Sequence, residues 1–293
     1  MDAVRQPFQR VSPVIFPEHW DLPGKPAQGP AASLDSYRQT DFQLKHDLHL
    51  LHEGMNLQLR VVADSYPAKF RTHAAAAFQL YWSRVFHYLS DSALLVSRGS
   101  YVGVPPLMRT ACECVAAAVQ LGGEELPALM EFLATSLRPN EDHRATEVGR
   151  GSYHAGGTLA SDARLGLVYR TSTELARPHF GATLIEVAPE SNLQKLAVTF
   201  GDQAFHFGWA QLELGWLLTM CAVMLEFAVA AGDLLGTTDE TRAAIEALGE
   251  RIDAALQQPV RCRVEEVDDG MDRRFLIVNF RRQSAGAPRK LLL

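Results

Sequence analysis

The feature that most constrains the fold is a pair of long apolar segments, at 104–121 and 214–232, that carry very little charge. Each segment is long enough for several helical turns, and apolar residues would occupy nearly every side of the helix. A helix that is apolar all round is stable in water only when other elements cover it. Two such helices therefore predict a large core enclosed by further helices.

The segment at 214–232 is also nearly long enough to span a bilayer. Glu226 lies inside it, and a carboxylate at the centre of a membrane costs roughly 2.5–3.5 kcal/mol on insertion scales. No basic flank follows the segment. We therefore expect a buried core helix and no membrane association, with a membrane span at 214–232 as the alternative.

Most of the remaining chain has helical spacing as well. From about residue 34 onward, apolar residues recur at three- and four-residue intervals through most of the chain up to 257. We therefore predict an all-α fold, a helical bundle at 34–257. Two stretches have strand-like patterns, and we expect minor β-hairpins at about 183–200 and 260–281, the second with an Asp-Gly turn inside a small β-ribbon at 258–283.

The two ends of the chain are expected to lie outside the bundle. Residues 1–33 contain six prolines and two glycines, which exclude a helix and predict an extended or disordered Pro-rich arm. Apolar side chains of this arm could dock it on the bundle; they are Phe8, Ile15, Phe16 and Trp20. At the other end, residues 284–293 are predicted to be a loose basic tail.

Composition limits the partners and the compartment. The net charge is −6 and 47% of the residues are hydrophobic, which supports a sizeable core and lacks the basic excess of a protein that coats duplex DNA. The four cysteines include no CxxC pair, so they are interpreted as buried thiols of a reducing cytosol rather than a zinc site. No secretory signal is visible. We predict a cytoplasmic protein, and its arginine- and alanine-rich composition suggests a bacterial source.

Two opposite charges, Arg109 and Glu113, interrupt the apolar segment at 104–121. At 100° per residue they share one narrow polar stripe with Gln120. The stripe is either the solvent edge of a core helix, where an exposed pair contributes only about 0.3–0.5 kcal/mol, or the wall of a polar cleft, where loss of one partner would cost roughly 3–5 kcal/mol. Because Arg precedes Glu, the weaker order for an isolated helix, local helix support is a poor reason for the pair.

A family resemblance extends this stripe to other residues. The chain resembles a bacterial helical family of unknown function, related to the HEPN (higher eukaryotes and prokaryotes nucleotide-binding) superfamily, over roughly residues 70–235. The residues that carry the resemblance are Gly99, Tyr101, Arg109 and Glu113, followed by Tyr169, Ser172 and His179 in "YRTSTELARPHF". The resemblance implies a helical fold, a homodimer, and a cleft lined by the last five of these residues.

One further histidine is a candidate for the same cleft. His206 and Glu213 lie seven residues apart and share a face of the long apolar helix. They either line the cleft, with His206 as a binding residue, or form a polar edge.

The resemblance also implies a chemistry. Many HEPN proteins cut RNA without a metal through an Arg-x(4–6)-His motif, in which the arginine binds the scissile phosphate and the histidine moves a proton. Arg138 and His143 in "RPNEDH" match this motif. On one continuous helix they would lie about 140° apart, so they converge only if Arg138 sits at a helix start. The alternative is a solvated helix start without catalysis.

A third set of residues has metal-ligand spacing. In "KHDLHLLHE", His49 and Glu53 lie four residues apart on a predicted helix and could share a metal ion, with His46 one turn earlier. The alternative is a polar helix face. No resident cofactor is predicted.

Three functions remain open from the sequence. The first is a binding or interaction protein with a polar interhelical cleft, in bacterial defence or stress response. The second is a HEPN-like metal-independent ribonuclease, and the third is a metal-dependent helical enzyme. The sequence does not decide whether the protein is an enzyme, and its partner is an unknown ligand or RNA.

Overall fold

A computed structural model describes residues 13–65, 73–120, 137–139, 146–148, 156–191, 194–268, 273–280 and 291–292. Within these residues the protein is an all-α bundle with a small β-ribbon, as the sequence predicts. The helices are α1 (Ala31–Gln43), α2 (Lys45–Ser65), α3 (His73–Ser97), α4 (Val104–Gln120), α5 (Gly156–Ser161), α6 (Ala163–Ala176), α7 (Phe180–Val187), α8 (Phe207–Ala230), α9 (Gly232–Leu235) and α10 (Asp239–Leu256), with a 3-10 turn at Tyr101–Gly103.

Helix α8 is the centre of the bundle. It contacts α2, α3, α4, α6 and α10, and its side chains are buried on all sides, among them Trp209, Leu217 and Met224. This is the outcome expected for a helix that is apolar all round. Two helical segments, Tyr101–Gln120 and Phe207–Ala230, are long and apolar enough to cross a membrane, but 78% of the second one's most apolar window is buried inside the protein. A buried core helix passes the same length and composition test, so the absence of membrane association stays a prediction.

The turn between α3 and α4 shows why the chain reverses there. Gly99 has φ +73, and a Cβ atom at this position would lie 2.2 Å from the carbonyl oxygen of Gln203. Only glycine fits both the left-handed backbone and this close approach. Pro105 and Pro106 then occupy the first turn of α4, where a missing backbone N–H breaks no helical hydrogen bond.

The N-terminal arm is docked on the bundle at Trp20. Trp20 is 8% exposed, whereas Ile15 is 98% exposed. The backbone N–H and carbonyl of Trp20 bond to the side-chain amide of Asn56 on α2, both at 2.9 Å. Residues 13–30 contain no helix or strand, and α1 begins at Ala31, before the predicted boundary of the arm. Phe8 lies outside the described residues.

The hairpin predicted at about 183–200 is wrong. Phe180–Val187 forms helix α7, and the described part of the segment after it contains no strand. The segment instead folds back on α7, because the Thr199 backbone N–H donates to the Val187 carbonyl at 2.8 Å. A ring nitrogen of His179 caps α7, which favours a helix over the strand that the β-branched residues suggested.

The second predicted hairpin, at about 260–281, is confirmed. Strands β3 (Arg263–Asp268) and β4 (Arg273–Val278) are antiparallel, with Val264 opposite Ile277. Leu291–Leu292 (β5) pairs with β4, so this part of the tail at 284–293 is not loose. A further short pair, β1 (Leu137–Pro139) with β2 (Thr146–Val148), was not expected from the sequence.

Candidate functional site

Three of the predicted cleft residues meet between α4 and α6. The Arg109 Nε lies 3.6 Å from Oε1 of Glu113, and the Tyr169 hydroxyl donates to the same oxygen at 3.4 Å. The Arg109 and Glu113 side chains are 44% and 39% exposed. Water therefore screens the ion pair, and its contribution to stability is small, about 0–1 kcal/mol.

Ser172 and His179 have structural contacts instead. The buried Ser172 hydroxyl donates to the Tyr169 carbonyl at 3.1 Å within α6. His179 caps α7, because its Nδ1 accepts a hydrogen bond from the Ala182 backbone N–H at 3.1 Å. The other ring nitrogen of His179 lies 3.9 Å from Glu174.

His206 caps α8 by the same geometry. Its Nδ1 accepts from the Trp209 N–H at 3.1 Å, and its backbone N–H donates to the Tyr101 hydroxyl at 3.2 Å. A neutral ring that accepts at Nδ1 carries its proton on Nε2, and this Nε2 lies 3.4 Å from Oε1 of Glu190. Both histidines thus occupy a position where Ser, Thr, Asp or Asn is usual. By resemblance the sequence predicts His179 as a cleft residue, and it leaves His206 open between the cleft and a polar edge.

The predicted metal residues of α2 are not arranged as a site. His46, His49 and Glu53 are exposed, and Glu53 forms an ion pair with Arg251 of α10. Among the described residues, the side chains that approach metal-binding geometry are His19, Asp21 and His52. The first two belong to the arm, and no spacing rule within one helix would have found them.

The predicted ribonuclease pair lies at the edge of the described structure. Arg138 is in strand β1, opposite Glu147 of β2. The helix start expected at Arg138 is therefore wrong, because residues 137–139 pair with 146–148 as strands. His143 lies outside the described residues, so catalysis by this pair stays a prediction.

The main feature that sequence reasoning missed is Glu213, in the second turn of α8. Its side chain has no exposed surface, and both carboxylate oxygens are without a hydrogen-bond partner among the described residues. Burial raises the pKa of Glu213 well above its usual range, and the nearby Glu186 raises it further. Both effects favour the neutral form of the carboxyl group over its ionised form.

Two other titratable groups adjoin Glu213. Glu186 of α7 is partly buried, and this burial raises its pKa to about 7. Burial is also the main cause that raises the pKa of Tyr101 to about 12, and Glu213 adds to the effect. Glu213, Glu186 and Tyr101 are called the Glu213 site below. The only signal for it in the sequence was the seven-residue spacing of Glu213 from His206 on an apolar helix.

Comparison of the chain with protein-family models, with curated proteins and with solved structures finds no match to any of them. The class of the protein is given by its fold alone, which is an all-α helical bundle with a small β-ribbon.

Proposed function

We propose that the protein is a binding protein for a small organic cation, an amine, which is held at the Glu213 site. The observation that carries the proposal is the buried Glu213 carboxyl without a partner among the described residues. A group of this kind in the centre of a folded protein calls for an explanation.

Stability alone does not explain Glu213. A buried polar group without a hydrogen bond costs roughly 2–7 kcal/mol on transfer from water. Its neighbours along α8, Leu212 and Leu214, are fully apolar and buried. A leucine at 213 would suit the same core without this cost. Carboxyl groups with strongly raised pKa values that are kept at such a cost are typical of functional sites.

The charge of the site favours a cation. When either Glu213 or Glu186 ionises, the electrostatic potential at the site becomes more negative. A negative potential disfavours a phosphate or a carboxylate ligand. A protonated amine would stabilise the ionised form of Glu213 and satisfy its oxygens with charge-assisted hydrogen bonds. Glu186, the other carboxyl group of the site, is partly buried and therefore partly accessible to solvent. For the same reason an amine suits this site better than RNA does.

The resemblance to HEPN-like families stays a proposal about kinship. The hydrogen bond between Tyr169 and Glu113 supports it, because these residues come from the two segments that carry the resemblance. A homodimer and a role in defence or stress response are proposed on the same resemblance, whereas a bacterial source and a cytoplasmic location are proposed on the composition of the chain.

Thermal unfolding with and without added amines tests the function. The probes are butylamine and 1,4-diaminobutane, with 1-butanol as the neutral compound of similar size. We expect an amine to raise the Tm of the wild-type protein, as a ligand that binds only the folded state must, and 1-butanol to have no effect.

The matched variants are Glu213→Gln and Glu246→Gln, the second on the exposed face of α10. Glu213→Gln keeps the side-chain size and removes the ionisable group, so the Tm shift should disappear, whereas Glu246→Gln should retain it. Equal shifts with 1-butanol, a shift retained in Glu213→Gln, or no shift with either amine would refute the proposal.

A further inference from the structure

The N-terminal arm and α2 bring together three side chains that can bind metal. They are His19 and Asp21 of the arm and His52 of α2, and one ligand atom from each lies within 4.8 Å of the other two. The Nε2 of His19 is 3.2 Å from Oδ1 of Asp21. Ligand atoms around a tetrahedral zinc ion with bonds of about 2.0–2.1 Å lie roughly 3.3 Å apart. The arm pair therefore already has the spacing that such an ion requires.

We propose that His19, Asp21 and His52 form a binding site for a divalent transition-metal ion such as Zn²⁺. Two imidazoles and one carboxylate are a set of ligands that zinc accepts in proteins, and they leave one coordination position open. His19 and Asp21 are exposed and His52 is partly buried, so the ion can enter and the open position faces solvent. The ion would join the arm to α2.

The backbone around the three ligands is fixed by contacts that do not involve them. Trp20, between the two arm ligands, bonds to the Asn56 amide through its backbone N–H and carbonyl, and its indole N–H donates to Ser90 of α3 at 2.9 Å. The Asn56 amide also donates to the His52 carbonyl at 2.9 Å. One side chain thus sets the arm against the turn of α2 that carries His52, which reduces the entropy lost when a metal binds.

The imidazole rings are already close to one another. The ring centroids of His19 and His52 lie 5.2 Å apart with their planes at 70°. Because the two rings are not stacked face to face, their nitrogen atoms can point toward a common position without a change in the backbone. The site is separate from the predicted set on α2, whose Glu53 pairs with Arg251.

Calorimetric titration of the full chain with Zn²⁺ tests the site, using protein prepared without a polyhistidine tag and treated with a chelator. We expect one ion per chain in the wild-type protein, and affinity at least ~10-fold lower in His52→Ala and in His19→Ala. His49→Ala is the matched control, since His49 is an exposed histidine one turn away on the same helix, and its affinity should equal that of the wild-type protein. Co²⁺ absorption should report the same order of affinities.

Hydrogen exchange provides a second measurement that distinguishes this site from scattered surface binding. Zn²⁺ should slow amide exchange at residues 18–24 in the wild-type protein and in His49→Ala, but not in His52→Ala. The proposal is overturned if the wild-type protein binds no Zn²⁺, if His49→Ala weakens binding as much as His52→Ala does, or if Zn²⁺ binding leaves exchange in the arm unchanged. None of these results depends on amine binding at Glu213.

Discussion

Arg261 and Asp47 form a buried ion pair between the start of the β-ribbon and α2. The Arg261 Nη2 lies 2.8 Å from Oδ2 of Asp47, and their side chains are only 2% and 7% exposed. The same guanidinium donates to the Gln211 carbonyl of α8 at 3.2 Å, and the Gln211 side chain accepts from the Cys262 N–H at 2.8 Å. The ribbon is therefore attached to the bundle through polar contacts in a dry environment.

Removing one partner of this pair should strongly destabilise the fold. In Asp47→Ala, the Arg261 charge stays buried without its partner, and we expect a loss of roughly 3–5 kcal/mol in the free energy of unfolding, measured in urea. Glu53→Ala is the matched control, because Glu53 lies on the same helix as Asp47 and forms an exposed pair with Arg251 of α10. Loss of this exposed pair should cost at most about 1 kcal/mol. Similar losses in the two variants would show that burial does not strengthen the Asp47 pair.

Replacing Glu213 by an apolar residue should stabilise the ligand-free protein. Glu213→Leu removes a buried polar group that has no partner among the described residues, so the free energy of unfolding should rise by about 1–3 kcal/mol. Glu246→Leu, on the exposed face of α10, should change it by no more than ~0.5 kcal/mol. A lower stability of Glu213→Leu would mean that the carboxyl has a structural role.

The two raised carboxyl pKa values determine how stability depends on pH. Glu186, with a pKa of about 7, and Glu213, with a pKa well above the ordinary 4.5, keep protons in the folded chain that the unfolded chain has released. The folded state thus binds more protons, and its stability falls as the pH rises above 4.5. We expect the fall to continue through pH 7 in the wild-type protein.

The double variant Glu186→Gln, Glu213→Gln isolates this effect. Urea unfolding at several pH values between about 4.5 and 8 should give a flatter pH profile for the double variant than for the wild-type protein. Parallel profiles would show that neither carboxyl has a raised pKa in the folded state.

The histidine cap of α8 allows a separate test of structure. His206→Ala should lower the free energy of unfolding by about 1 kcal/mol through the lost cap, whereas His206→Asn should restore most of it, since asparagine is a favoured cap. The ring of His206 also lies 4.7 Å from that of Phe280, so a loss that asparagine does not restore would assign the role of His206 to ring packing.

The helices could be predicted because their signals are local. The breaks at Gly99 and at Pro105 and the apolar character of α8 are each visible within a few residues. The strand-like pattern at 183–200 led to a wrong prediction for two reasons. His179 caps a helix at the start of this segment, and no neighbouring strand among the described residues is available for pairing.

The polar sites depend on contacts between residues that are far apart in the sequence. No short sequence motif therefore predicts them. The sequence leaves open whether Arg109 and Glu113, four residues apart, form an exposed pair or line a cleft; in the structure this pair is partly exposed, and a buried pair joins Asp47 to Arg261. The sequence predicts candidate metal ligands on one face of α2, whereas in the structure His52 of α2 approaches His19 and Asp21 of the arm. In each case the tertiary packing decides which charges meet.

Calorimetry of 1,4-diaminobutane binding in two buffers of different ionisation enthalpy tests the central claim most directly. If Glu213 is neutral in the free protein and ionises against the amine, binding near pH 7 must release about one proton per site in the wild-type protein. The account predicts this release, and neither binding nor release in Glu213→Gln. Binding without proton release, or the same binding in Glu213→Gln, would contradict it.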